Sequence, residues 1–419
     1  MKFLLITYYF GDDSDVGAQR WKKNIKYIQD LDWEPVVFTF NEEKEAKSPF
    51  EVIYKPQLEP NKLYQSLFKK KVPSDILTNQ KSSVWTKFLV FIRANFFIPD
   101  SRVLYTLASK RSLRKRLKEK DIDLIISTGP PHSMHLLARQ MSSEFNIPWI
   151  ADFRDPWTGI EYFEQLPLLP FSRKIHQNLE RKILTSCDSL ITVSDSWAKH
   201  LKELGAKNTN VIYNGFDTED FSVKSSIPKR MSIAHFGTYP KSRNHIQLWE
   251  VFNDLAKDED FKNALDLHFY GFTYDDFQSE LAPYDFNSQV KQFTPIPHQE
   301  ATQKMSEYRF LFLSLSDTVL SEGRIPLKFY EYLATGRKII AIGKKDTDLA
   351  KLMKELQCGY YINYGEEDRL KKLLKEEFMN TEAPSGMGSQ RRMDFSKKEQ
   401  AKKYVQLFNQ VIGGKSKLK

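Results

Sequence analysis

The sequence predicts an α/β protein of two domains, each built on a parallel sheet, and three observations lead there. Short apolar runs of strand length alternate with stretches of helical period along the whole chain. A polar, aperiodic stretch at residues 214–230, NGFDTEDFSVKSSIPKR, separates two such series and reads as an interdomain linker. The length agrees: 419 residues, 41% hydrophobic and 28% charged, exceed one ordinary core and suit a globular chain rather than a disordered one. The domains are placed at residues 1–222 and 223–399, with a C-terminal helix near residues 400–415 expected to pack back on the first.

In the first series the strand candidates are KFLLITYY, EPVVFTF, LIIST, PWIADF, SLITVS and NVIYN. In the second they are MSIAHFG, LDLHFYG, VKQFT, RFLFLSL, KIIAIG and CGYYIN, so each series can build one sheet. The apolar run at the N-terminus is too short for the core and cleavage region of a signal peptide and fits a first strand. No run approaches the roughly 20 apolar residues of a spanning helix. Cys187 and Cys358 lie far apart in apolar contexts, read as core residues, and suit a reducing, cytoplasmic compartment.

Charge is unevenly spread. The whole chain carries +9, yet residues 60–120 alone hold 15 Lys and Arg against 3 Asp and Glu. Within that window LYQSLFKKK and VWTKFLVFIRANFFI interleave aromatic rings with cations, the composition of a segment that buries rings beside lipid headgroups. An anionic membrane surface is the expected partner, with a basic face over a packed helix as the plainer alternative. Nucleic acid is not expected, because no aromatic RNA-binding signature or zinc finger accompanies the charge.

Open parallel sheets bind ligands at the carboxyl ends of their strands, so the loops that follow the strands are where chemistry is sought. After the first strand comes FGDDSDVGAQRW, in which Gly17 at a helix start would let a ligand approach the backbone. STGPPHSMH puts His132 at a strand end, and ADFRDPWTG gathers Asp152, Arg154, Asp155 and Trp157 at another. In the second half IPLKFYEYLATGRKIIAIG reads as a helix feeding a buried strand, Pro326 at the first helical position and Gly336 just past the last. Lys328, Glu331, Tyr332 and Thr335 then share one face. That face is either solvated, with a marginal Lys–Glu pair, or it holds an anion between Lys328 and the helix N-terminus while Glu331 accepts from hydroxyls. A D-x-D match at Asp346–Asp348 would suit a metal site, but its place at the head of a helical stretch favours capping.

These landmarks, in this order, resemble those of GT-B glycosyltransferases of the retaining family 4 type. The resemblance runs over nearly all of the chain through DVGAQR, STGPPHSMHLLA, ADFRDPWTG, CDSLITVSDSWAKHL, VIYNGFDTEDF, HFGTYPKSRN and KFYEYLATGRKIIAIG. It implies two Rossmann-like domains facing across a cleft, a nucleoside-diphosphate-sugar held mainly by the second, and a glycan or lipid-linked acceptor on the first. It implies that Glu331 is the last glutamate of an E-x(7)-E signature and binds the donor ribose, and that Arg243 and Lys328 bind the diphosphate. His132 resembles a histidine near the reacting centre, with Asp155 as the alternative general base; neither metal nor cofactor is expected. One departure stands out: the first glutamate of the signature should fall at Gly323, whereas Glu322 is one residue further from Glu331. A non-catalytic nucleotide-sugar-binding scaffold or a nucleotide-sugar epimerase of the same fold is the alternative.

Overall fold

The computed structural model describes residues 1–10, 16–40, 48–55, 84–221, 231–380 and 389–416. The chain forms two compact units, Met1–Tyr213 with Gln400–Lys419, and Asn214–Glu399. Residues from Asn214 belong to the second unit because Phe216 pairs with the returning chain: its N–H donates to the Phe395 carbonyl at 3.0 Å, and its carbonyl accepts from Lys397 N–H at 2.8 Å. Residues 222–230 of the expected linker and the tract Lys69–Lys71 lie outside the described residues.

The first unit holds a seven-stranded parallel sheet, β1 (Lys2–Ile6), β2 (Glu34–Thr39), β3 (Glu51–Tyr54), β4 (Leu124–Gly129), β5 (Trp149–Phe153), β6 (Ser189–Thr192) and β7 (Thr209–Val211). Their order is β3-β2-β1-β4-β5-β6-β7. Alternate residues of each strand serve cores on opposite faces: Leu4, Ile6, Val36, Phe38 and Ile125 enter one, Phe3, Leu5, Val37, Leu124 and Ile126 the other. That is why these strands read as continuous apolar runs. The helix Lys397–Ser416 lays Ala401, Tyr404, Leu407 and Phe408 into the second of these cores, against Phe3, Trp21 and Trp33. Strand β3 was not among the expected runs; it is four residues long, half-buried and at the sheet edge.

The second unit holds a six-stranded parallel sheet, β8 (Met231–Phe236), β9 (Leu265–Tyr270), β10 (Val290–Phe293), β11 (Phe310–Ser314), β12 (Lys338–Gly343) and β13 (Gly359–Asn363), in the order β10-β9-β8-β11-β12-β13. Strand order reverses between β1 and β4 in the first sheet and between β8 and β11 in the second. Such reversals open the crevice in which α/β sheets bind ligands. The helix Leu327–Thr335 returns the chain from β11 to β12. Gly336 closes it at φ 72°, and Pro326 sits one residue outside it as the N-cap, since its ψ of 144° is extended rather than helical.

Candidate functional site

In the first unit, the candidates from three loops are drawn together by Arg154. Its guanidinium donates to the Gly17 carbonyl at 2.8 Å, to the Gly129 carbonyl at 3.3 Å and to the Pro130 carbonyl. Gly17 is the second residue of the helix Val16–Gln29, so the start of that helix is fixed against the loop carrying His132. Beneath this clamp Asp152 is fully buried; its carboxylate accepts from Arg20 at 3.2 Å, from the Trp21 indole at 2.8 Å and from the Thr128 hydroxyl at 2.9 Å. A carboxylate so enclosed is structural. Asp155 sits half-buried in the turn that follows β5.

His132 is 4% exposed and stacks on Trp157, centroids 5.0 Å apart and planes 4° from parallel. Among the described residues neither of its ring nitrogens has a hydrogen-bond partner, nor do the Nε2 atoms of His135 and His176. Behind it His135 is fixed by Ser127 at 2.8 Å and by stacking on Phe153, and the Trp157 indole donates to His176 Nδ1 at 3.1 Å. Burial pushes all three imidazoles down, His176 to about 4, His135 to about 3 and His132 well below its ordinary value. The cluster is therefore neutral at physiological pH, and His132 can accept or donate one hydrogen bond but holds no charge.

In the second unit, the β8–β11 ladder stops at the pairs Phe310–Ile233 and Leu311–Ala234. Beyond it the strands' backbone groups are satisfied by side chains: the Phe236 N–H by the Tyr332 hydroxyl at 2.9 Å, the Phe312 carbonyl by His235 Nδ1 at 3.0 Å. Lys328 reaches this gap from the first turn of its helix, and its Nζ lies 3.3 Å from His235 Nε2. Gly237, at φ 91°, closes the other side; a Cβ there would stand 2.8 Å from the amine. Gly271 presses on Gly237 in turn, so that a Cβ at 271 would meet its carbonyl at 2.7 Å. Burial first, and then the charge of Arg243, push the Lys328 amine down to about 7, with Glu331 opposing.

Arg243 ends the short helical turn Lys241–Arg243, and the stretch from Ser242 to His245 is held at three points to the end of β11 and the loop after it. The Ser314 hydroxyl donates to the Arg243 carbonyl at 2.5 Å, Ser242 and Ser316 hydroxyls meet at 3.2 Å, and His245 Nε2 donates to the Leu315 carbonyl at 3.1 Å. Glu331 pairs with His298 at 2.9 Å, not with Lys328. The marginal Lys–Glu pair is thus not formed, and the two side chains face different partners. Glu322 lies half-buried in the turn Ser321–Gly323, directly after Leu320, whose φ of 55° puts a branched residue in the left-handed region. The D-x-D match is a cap: Thr347 accepts from the Ala350 N–H at 3.1 Å at the head of the helix Asp348–Leu356. Sequence reasoning did not single out His235, Gly237 or His298; the signal for the first two was a polar residue two positions before a glycine at a strand end.

Residues 25–220 match the family model described as Glycosyltransferase Family 4. No curated protein matches the sequence. Among solved structures, sucrose-phosphate synthase from Thermosynechococcus elongatus superposes with a TM-score of 0.67 at 14% identity, covering 99% of each chain. HepE from Anabaena in complex with UDP and glucose gives 0.62 at 12% identity, over 98% of this chain and 100% of that one. The α,α-trehalose 6-phosphate synthase from Burkholderia multivorans gives 0.62 at 11%, over 99% of each. At these identities the likeness is one of fold, and the fold is that of GT-B enzymes.

Proposed function

We propose that this chain is a glycosyltransferase, a reading supported by its family match and its GT-B fold, and that it takes its sugar from a nucleoside-diphosphate-sugar bound by the second unit and passes it to a lipid-linked or glycan acceptor. We further propose that it does so with retention of configuration and without a metal. The observation that carries the donor reading is the meeting of the Lys328 amine, the side-chain-free Gly237 and the first turn of the helix Leu327–Thr335 at the β8–β11 reversal. Breaking a sugar–phosphate bond builds negative charge on the departing diphosphate. Lys328, Arg243 and the positive end of the helix start would stabilise that charge where it develops, as a metal would elsewhere.

Glu331 would take the ribose hydroxyls: His298 engages Oε1, which leaves Oε2 to accept. Glu322 is assigned to the hydroxyls of the transferred sugar; it lies in the turn that follows the left-handed Leu320. In the first unit a neutral His132 would orient and polarise the sugar or acceptor rather than act as an obligatory base, with the leaving phosphate taking the acceptor's proton and Asp155 as the alternative base. The basic and aromatic segment between residues 60 and 120 is assigned to an anionic membrane surface, which would bring a lipid-linked acceptor to the enzyme.

Calorimetric titration of UDP, GDP, ADP and TDP in buffer with EDTA tests the donor site. One nucleotide is expected to bind in the micromolar range. Arg243→Ala and Lys328→Ala should abolish that binding, and Glu331→Ala should weaken it by about 1.5–3 kcal/mol per charge-assisted hydrogen bond lost. Binding that appears only with a divalent cation would end the metal-free reading. Nucleotide binding with sugar epimerised or hydrolysed and never transferred would favour the epimerase instead.

A further inference from the structure

We infer that His235 is a positioning residue for the donor phosphates: it aims the Lys328 amine at them while leaving its charge uncancelled. The inference rests on the donor reading above and assigns a residue that touches no donor atom.

The imidazole's orientation follows from what surrounds it. The Phe312 carbonyl can only accept, so the 3.0 Å contact requires the proton on Nδ1 and leaves a lone pair on Nε2. Two groups face Nε2, the Lys328 amine at 3.3 Å and the Thr238 carbonyl at 3.5 Å, and only the amine can donate to it. The ring cannot easily turn away. His235 is 1% exposed, and Tyr239, Phe269 and Phe312 enclose it at centroid separations of 5.2, 5.9 and 6.2 Å. Lys328 is thereby held over Gly237, at the point where the strand pair parts.

A neutral acceptor has a consequence that a carboxylate would not. A lysine held by Asp or Glu presents a neutralised pair to an incoming anion, whereas one held by imidazole keeps its full charge for it. The nearest carboxylate on the same helix, Glu331, is engaged by His298, and among the described residues Lys328 forms no ion pair. The charges that act on Lys328 are Arg243, opposing its protonation, and Glu331, favouring it; those that act on His235 are Lys328 and Arg243. Arg243 and a neutral imidazole thus flank a Lys328 amine that titrates near 7, with no carboxylate paired to it, so that an arriving anion both charges it and meets its charge uncancelled.

A double-mutant cycle separates this role from a packing role. UDP and uridine are titrated into wild type, His235→Leu, Lys328→Ala and the double variant. His235→Leu should weaken UDP about tenfold and leave uridine unchanged, and in the Lys328→Ala background it should have no further effect. His235→Gln, which keeps an acceptor near the Nε2 position, should restore most of the affinity. His235→Glu keeps an acceptor but cancels the charge, and should bind UDP as poorly as His235→Leu. The same cycle read by thermal denaturation without nucleotide should show coupling between positions 235 and 328. Coupling without UDP binding in wild type would sink the donor reading and leave the pair intact; no coupling, or tight UDP binding by His235→Glu, would overturn the role of His235. Should His235→Leu not fold, the Gln and Glu variants decide the matter by the same criteria.

Discussion

On the proposed donor reading, the protonation of Lys328 and the binding of a diphosphate are linked. In the free protein its amine is pushed down to about 7 by burial and by Arg243. A bound diphosphate brings opposite charge to within contact and must raise it. Below pH 7 the amine is already charged, so binding moves no proton; above pH 7 the free protein holds it neutral, and binding has to recharge it. UDP titrated at pH 8 in Tris and in HEPES should therefore give different heats, reporting proton uptake that shrinks below pH 7, and affinity should fall as pH rises. Lys328→Met should lose the buffer dependence with most of the affinity. Buffer-independent heats at pH 8 in wild type would show that the amine is not the group that meets the anion. The sign for folding is separate: an unfolded lysine titrates near 10.4, so between about 7 and 10.4 the unfolded chain binds more protons and this residue makes stability rise with pH.

At the scale of elements, the helix Asp348–Leu356 tests whether a motif match is chemistry or capping. Thr347 accepts from the Ala350 N–H, donates to the Tyr361 hydroxyl at 3.0 Å and is 1% exposed, whereas Asp346 lies in the exposed turn before it at φ 61°. Thr347→Ala should cost roughly 1 kcal/mol or somewhat more in urea denaturation, and Asp346→Ala well under that, with neither changing nucleotide affinity. A loss of activity restored by added Mn²⁺ in Asp346→Ala would instead make the stretch a metal site. The same elements show what was legible beforehand. Most of the strands were readable because parallel strands covered on both faces leave continuous apolar runs; the edge strands β7 and β10 were readable from shorter runs though only partly buried, while β3, also at an edge and half-buried, leaves only EVIY. Helix period correctly put Lys328 and Glu331 on one face, but their partners, His235 and His298, lie 93 and 33 residues away. His235 reads as one more strand residue until the β8–β11 ladder is seen to stop beside it, which is a tertiary fact that no local pattern carries.

For the whole molecule, the exposed surface of the first unit bears on where the protein works. Among the described residues no helix is long and apolar enough to cross a membrane. Yet the helix Val84–Phe96 exposes Trp85 at 74%, Phe88 at 50% and Phe96 at 65%, and the neighbouring helix Pro170–Ser186 exposes Phe171 at 54%. Asn95 ties the two together, accepting from the Leu169 N–H at 2.7 Å. Exposed Lys87 and Lys174 lie on the same helices as these rings. Rings beside cations outside a core suit a headgroup layer, where the rings leave water and the cations meet anionic lipid. The protein should sediment with vesicles containing phosphatidylglycerol and far less with phosphatidylcholine alone, and the difference should shrink as salt is raised from about 0.05 to 0.5 M. Trp85→Ala with Phe88→Ala should weaken vesicle binding at every salt concentration, since each buried ring contributes about 1.5–3 kcal/mol. Lys87→Glu with Lys174→Glu should weaken it chiefly at low salt. Equal amounts of wild type in the supernatant with and without vesicles would overturn the assignment of these rings to a membrane surface.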